Sequence, residues 1–219
     1  MGSTLRIAID GGAATGKSTT SKLVAKKLGL TYVNTGQMYR LIALIALKNN
    51  LENDEKKLLN KIKDIKMSFD DNGKILNDFI KLDENILDSN EVSNVLNSIT
   101  HYPLIREFAS KKQMEFGKKP GVLLEGRDIG TVVMPDADYK FYLFVDPKVA
   151  AKRRVKQFSE MGEQISYEKT LQDIIDRNES DMNRKVGPLM PTKNSIHIDT
   201  SFNTAEEVAN QIVGIVNNG

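Results

Sequence analysis

Short apolar runs alternating with helical stretches predict an α/β fold, a parallel sheet covered by helices on both faces. Two observations carry that prediction. Five strand-like runs recur, at 5–10, 30–34, 122–125, 140–146 and 195–199. Between the first run and a helical stretch lies Gly11-Gly12-Ala13-Ala14-Thr15-Gly16-Lys17-Ser18, which spells G-x-x-x-x-G-K-S. Strand, glycine-rich loop and helix in that order make a phosphate-binding loop (P-loop). Its glycines let backbone N–H groups turn around phosphate oxygens, and the helix N-terminus adds positive dipole at the same point. Lys17 would reach the β- and γ-phosphates, and the Ser18 hydroxyl would ligate Mg²⁺. A glycine-rich turn matching by chance is the competing reading, against which the flanking strand and helix both speak. The loop predicts binding of a nucleoside triphosphate through Gly11 to Thr19.

The elements follow in order. A helix from Lys17 to Leu28 closes at Gly29, and ligands are expected beyond the strands' carboxyl ends. Residues 66–85 read as a small antiparallel lobe, with Asn72-Gly73 as the hairpin turn and 79–82 as a further strand. Pro103 opens a helix to about Phe116. Asp146-Pro147 is an N-cap followed by an N1 proline, and Thr204 with Glu207 forms a capping box. The polar stretch 152–189 reads as two helices broken near Gly162, either a mobile cover over a site or two solvated surface helices.

Bulk properties exclude several classes. At 219 residues and 40% hydrophobic, the chain suits one packed core. Its 31 basic and 29 acidic residues leave only +2, so no global field recruits nucleic acid or acidic membrane. Phosphate recognition must therefore come from arginines placed locally. The absence of cysteine excludes disulfides and thiolate chemistry and fits a reducing compartment. No run approaches the ~18 apolar residues of a membrane span. The start shows no signal peptide, and Arg6 breaks the myristoylation pattern. The expectation is a cytoplasmic protein with no nucleic-acid or membrane partner.

The arginines fall where chemistry is expected. Thr35-Gly36-Gln37-Met38-Tyr39-Arg40 follows the second strand, and Glu125-Gly126-Arg127-Asp128-Ile129-Gly130-Thr131 follows the third. Arg40 and Arg127 are expected to converge on a second anion facing the triphosphate, because a guanidinium gives planar, bidentate contact to phosphate oxygens. A surface salt bridge is the plainer reading for either. Arg177, Asp181 and Arg184, spaced four and three apart, would share one helical stripe. Either Arg153 or Arg154 could reach a transferring phosphoryl group; a solvated charge run explains them equally well. His101 and His197 show no metal spacing, and His197 reads as structural.

Taken together, these motifs resemble the bacterial cytidylate kinases, nucleoside monophosphate kinases of the P-loop group. The most specific pieces are Asp10-Gly11 through Ser18, Asn34 through Arg40, Gly126-Arg127-Asp128-Ile129-Gly130-Thr131-Val132-Val133, and Arg177, Asp181, Asn183 and Arg184. The resemblance implies one kinase domain over 1–219. Its core covers about 1–35, 100–150 and 186–219, with a monophosphate-binding lobe at 36–99 and a lid at 152–185. It implies five parallel strands, a β insert on the monophosphate side, and a monomer. The implied reaction moves a phosphoryl group from MgATP to CMP or dCMP, giving ADP and CDP or dCDP. By resemblance, Arg40, Arg127 and Arg184 hold the CMP phosphate, with Arg177 and Asp181 near its sugar. Arg106 and Asp128 read the cytosine, assisted by Asn97 or Ser98, and Thr35 lines the substrate site. A carboxylate accepts from the cytosine N4 amino group, while a guanidinium suits its O2 and N3. Lys17, Arg127, Arg184 and Arg153 are the residues expected to act on the transferring group.

Some positions depart from the family pattern. Gly12 stands where proline is common and Glu125 where aspartate is usual. Ser180 and Met182 replace residues often charged, and Asn97 stands where a serine often helps read the base. A kinase for UMP or AMP is the nearest alternative. A P-loop switch or nucleic-acid-dependent ATPase is the alternative from another class, with 141–146 as a Walker B strand.

Overall fold

A computed structural model describes residues 4–82, 85–160 and 162–219. Residues 1–3, 83–84 and 161 lie outside the described residues. They belong to the expected N-terminal stretch, the inserted lobe and the break between the polar helices.

The chain runs β1 (Arg6–Gly11), α1 (Lys17–Leu28), β2 (Thr31–Asn34), α2 (Gly36–Asn49), α3 (Glu55–Ile62), β3 (Met67–Phe69) and β4 (Ile75–Asn77). It continues with α4 (Asn90–Ile99), α5 (Pro103–Gly117), β5 (Val122–Gly126), β6 (Tyr139–Phe144), α6 (Pro147–Glu160), α7 (Tyr167–Met182), β7 (Ile196–Asp199) and α8 (Ala205–Asn218). A 3-10 turn spans Ile86–Asp88, and a π-helical turn spans Ile129–Val133 directly after β5.

Five strands form one sheet in the order β2-β5-β1-β6-β7, and every pairing is parallel. Helices cover both faces, so the central strands are continuous apolar runs rather than alternating ones. On one face Ile7, Ile9, Leu123, Phe141 and Leu143 pack with Val24 of α1 and with Val208 and Ile212 of α8. On the other, Ala8, Val33, Val122 and Leu124 pack with α2, α3, α4, α5 and the β3–β4 hairpin. Helix α2 is buried almost all round, which explains its run Leu41-Ile42-Ala43-Leu44-Ile45-Ala46.

Register positions the site. Ile9 pairs with Glu125, Asp10 with Gly126, and Asn34 with Glu125. The P-loop after β1, Thr35 after β2 and Arg127-Asp128 after β5 therefore leave the sheet side by side at its carboxyl edge.

Local chemistry sets most boundaries. Gly29 adopts a left-handed φ of 66° after α1, and Asp146 accepts from the Lys148 N–H at 2.7 Å to cap α6. Thr204 and Glu207 form the reciprocal box at α8. Three expectations are corrected. Residues 79–82 are not a strand: the Asn77 side chain accepts from the N–H groups of Phe79 and Ile80 and turns the chain off the hairpin. The fourth core strand ends at Phe144, because Asp146 serves as the cap. Arg184 lies past the end of α7, so it is not on a stripe with Arg177 and Asp181.

Candidate active site

On the donor side, Gly16 takes a left-handed φ of 75° and starts α1 with no side-chain cap and no acidic residue in its first turn. Helices α3, α4, α7 and α8 are each capped by a side chain, and the first N–H of α2 is held by Asn34 Oδ1 at 2.9 Å, whereas α1, which begins at the sheet's carboxyl edge, has no such cap. The leading N–H groups of α1 are left for a ligand. Lys17 is buried, and its ammonium has no hydrogen bond or ion pair among the described residues. Burial, then the charge of Arg127, lowers its pKa to about 8, against the pull of Glu125, Asp10 and Asp181. Asp10 accepts from the N–H groups of Ile129 (2.8 Å) and Gly130 (2.7 Å), tying the end of β1 to the turn after β5. Burial raises its pKa to about 6 despite those two bonds. The hydroxyls of Ser18 and Tyr32 both donate to Glu125 Oε1, at 2.6 and 2.7 Å. Glu125 Oε2 is buried without a partner among the described residues.

On the acceptor side, Asp181 of α7 is held from two directions. Arg127 Nε donates to Oδ2 at 2.8 Å and Arg184 Nη1 donates to Oδ1 at 2.9 Å. Burial would raise the Asp181 carboxyl, but the two guanidinium charges hold it below its ordinary value. Arg184 also donates to the Gly187 carbonyl at 3.0 Å, while its Nε is buried without a partner among the described residues. Deeper in, Arg106 and Asp128 form an ion pair at 2.6 Å, with Arg106 over the Tyr39 ring at 5.3 Å. Main chain covers this pair: Arg106 Nε donates to the Val186 carbonyl at 2.6 Å. A Cβ at Gly187 would stand 2.0 Å from Asp128 Oδ2, so only glycine lets the backbone come this near.

The two sides meet at Lys17, which feels the charges of both Arg127 and Asp181. A phosphate loop facing an arginine cluster is a geometry for phosphoryl transfer between two anionic substrates. Comparison with solved structures agrees on the fold. The chain matches shikimate kinase from Bacteroides thetaiotaomicron with a TM-score of 0.50 at 13% identity, covering 97% of this chain and 98% of that one. Residues 7–218 match the family described as Cytidylate kinase. The chain belongs to the cytidylate kinase family. A relative of that name from Clostridium botulinum (strain Langeland) is 42% identical over 216 residues, covering 97% of each chain. One from Clostridioides difficile (strain 630) is 38% identical over 218 residues, covering 97% of this chain and 98% of the relative.

In this cytidylate kinase scaffold the remaining expected residues divide. Arg177 joins the cluster by field rather than by contact. Loss of solvent around it, then the charge of Arg127, depress its guanidinium, with Asp181 opposing and Arg40 and Arg154 adding to the effect. Arg40 is not bonded to that cluster; it donates to the Leu87 carbonyl (2.8 Å) and to Ser93 Oγ (3.1 Å) and lies 3.7 Å from Asp88. Arg153 is turned away, donating to the carbonyls of Ser201 and Asn203 beyond β7. Arg154, the next residue on α6, lies over the Phe158 ring at 5.8 Å, and its charge reaches Arg177. Asn97 and Ser98 are exposed on α4 and do not touch Arg106 or Asp128. Thr35 is buried, donating to the Glu125 carbonyl at 2.7 Å. Thr19 stays exposed in the first turn of α1.

Sequence reasoning gave no role to Asp10, to Glu125 as the acceptor for Ser18, or to Tyr39 beneath Arg106. Asp10 had a signal in its place at the end of a strand just before the loop. The others had none, because their partners are distant in sequence. His101, also unassigned, meets Ser180 of α7 at 2.9 Å.

Proposed function

We propose that the chain carries out its family's reaction, phosphorylation of CMP and dCMP with ATP, by holding two phosphate groups end to end between Lys17 and the Arg127–Asp181–Arg184 cluster. One observation carries the reading: a buried lysine with no hydrogen bond or ion pair among the described residues lies within the field of that cluster. The P-loop amides and Lys17 hold the triphosphate of the donor. Arg127 and Arg184 hold the acceptor phosphate and offset its charge, so that its oxygen can approach the γ-phosphorus in line. Arg177 and Arg154 contribute charge from the polar helices, which act as the lid and exclude water. Arg40 reaches the same phosphate by exchanging its bonds to Leu87 and Ser93.

The base site rests on Arg106 and Asp128. Their mutual bond uses Asp128 Oδ2 and leaves Oδ1 with no hydrogen bond from the described residues, free to accept from the cytosine amino group. Uracil would present a carbonyl there instead, leaving the carboxylate facing an acceptor.

Mg²⁺ accompanies ATP in this reading. The Ser18 hydroxyl, bonded to a carboxylate whose other oxygen is buried without a partner among the described residues, forms a set of hard oxygen donors suited to it. Bound there, Mg²⁺ would supply charge neutralisation on the β- and γ-phosphates. Action as a monomer is what the family resemblance implies. No helix among the described residues is long and apolar enough to cross a membrane. A cytoplasmic location is what the family resemblance implies, and the cysteine-free composition fits it.

Turnover of CMP, dCMP, UMP and AMP with MgATP tests this function, with Arg127→Ala as control. Robust CMP and dCMP turnover lost in Arg127→Ala is expected. Negligible CMP turnover beside robust UMP or AMP turnover overturns the substrate assignment.

A further inference from the structure

Gly12 does not have a left-handed backbone, so conformational freedom does not explain the glycine. Space does. A Cβ built there would lie 2.8 Å from Oδ1 of Asn178, 3.2 Å from its Cγ and 3.3 Å from its Nδ2. The carboxamide of Asn178, on α7, occupies the place where a side chain at position 12 would stand. It also forms a bond there, accepting from the Ala13 N–H at 2.8 Å. The next residue, Ala14, packs against Ala150, Ala151 and Ile174 in the small core shared by α6 and α7. The phosphate loop is thus fastened to the polar helices by one hydrogen bond and one apolar contact.

Three residues further along α7, Asp181 holds Arg127 and Arg184. Residues three apart lie on one face of a helix. The same face of α7 therefore touches the donor loop through Asn178 and the acceptor arginines through Asp181. Resting on the function proposed above, we infer that Asn178 is a positioning residue that couples the two nucleotide sites. A triphosphate that orders the loop around Ala13 sets α7, and α7 sets Arg127 and Arg184. By linkage, an acceptor that sets the arginines must strengthen donor binding by the same factor. Gly12 belongs to this device, because any Cβ there displaces the carboxamide and breaks the Ala13 bond.

The test is titration calorimetry of CMP on the full chain, with and without a saturating non-hydrolysable ATP analogue and Mg²⁺. In the parent, the analogue is expected to tighten CMP binding by at least about fivefold, the low end of ordinary coupling between sites. Asn178→Ala should bring that ratio to within about twofold of unity, since it removes the connecting bond. Its kcat/KM for ATP should fall more than kcat measured with both substrates saturating, which a general loss of stability would not produce. Gly12→Ala should show the same loss. The double variant should be no worse than either single one, because both remove one interaction. Absence of coupling in the parent, full coupling in Asn178→Ala, or additive effects of the two substitutions would each overturn the inference. Failure of the parent to phosphorylate CMP would instead overturn the function, a separate result in a separate assay.

Discussion

The donor and acceptor sides of the cleft bind the same kind of group by opposite means. The donor side is eight consecutive residues, in which the first amides of α1 and the Lys17 ammonium have no partner among the described residues while the Ala13 amide is held by Asn178. The acceptor side is gathered from α5, the turn after β5, α7 and the segment after α7, and most of its charges already have protein partners. A phosphate entering the loop meets an ammonium that has no partner among the described residues. One entering the arginine cluster must share guanidinium groups with Asp181. Unpaired charge favours affinity for any triphosphate, while paired charge ties binding to correct placement and so favours selectivity.

The largest break in this contrast should come from Lys17→Met. It removes the unpaired charge, and kcat/KM for ATP should fall by about 10³ or more in steady-state assays, as for loss of a preorganised transition-state donor. A decrease below tenfold would show that the amides alone hold the donor. Next comes Arg127→Ala, expected to lower kcat/KM for CMP by about 10²-fold. The KM for ATP should change far less, and an equal rise in both KM values would show that the two sides are not distinct. Asp128→Asn sharpens the base-reading half. The ratio of CMP to UMP turnover should drop by roughly tenfold or more, because the amide can donate to the uracil carbonyl. Unchanged selectivity would remove Asp128 from base recognition.

The smallest effect is in pH. Lys17 is charged below its pKa of about 8 and loses that charge as pH rises through it. The free-enzyme profile of kcat/KM for ATP should therefore decline above that pH, by up to about tenfold per unit. The CMP-dependent term should not share the inflection, since guanidinium groups stay protonated. A flat ATP profile to pH 10 would mean that the ammonium is not depressed in the free enzyme.

Much of the donor side was legible from residues alone. Gly11 to Ser18 act through local backbone geometry, and a strand before them with a helix after them is a local pattern as well. The caps at Asp146 and Thr204, the glycine after α1 and the hairpin at Asn72-Gly73 are short-range for the same reason. The strand expected at 79–82 failed because Asn77 found backbone donors two and three residues on, a choice that β-like composition does not encode. Arg153 and Arg154 could not be told apart in sequence. The rotation of α6 against the sheet sends the first to the carbonyls beyond β7.

The order of residues was enough to establish an α/β sheet, a triphosphate loop and a resemblance centred on Gly126 to Val133, since each depends on neighbours within one or two turns of chain. The partners of those residues came only from packing. Strand order set β5 beside β1, joined Glu125 to Ser18, and brought α7 across the cleft so that Asp181 meets Arg127 and Asn178 meets Ala13. Those contacts span separations of 54 to 165 residues. Such pairs share no local signal, and they are specified only when the whole core closes.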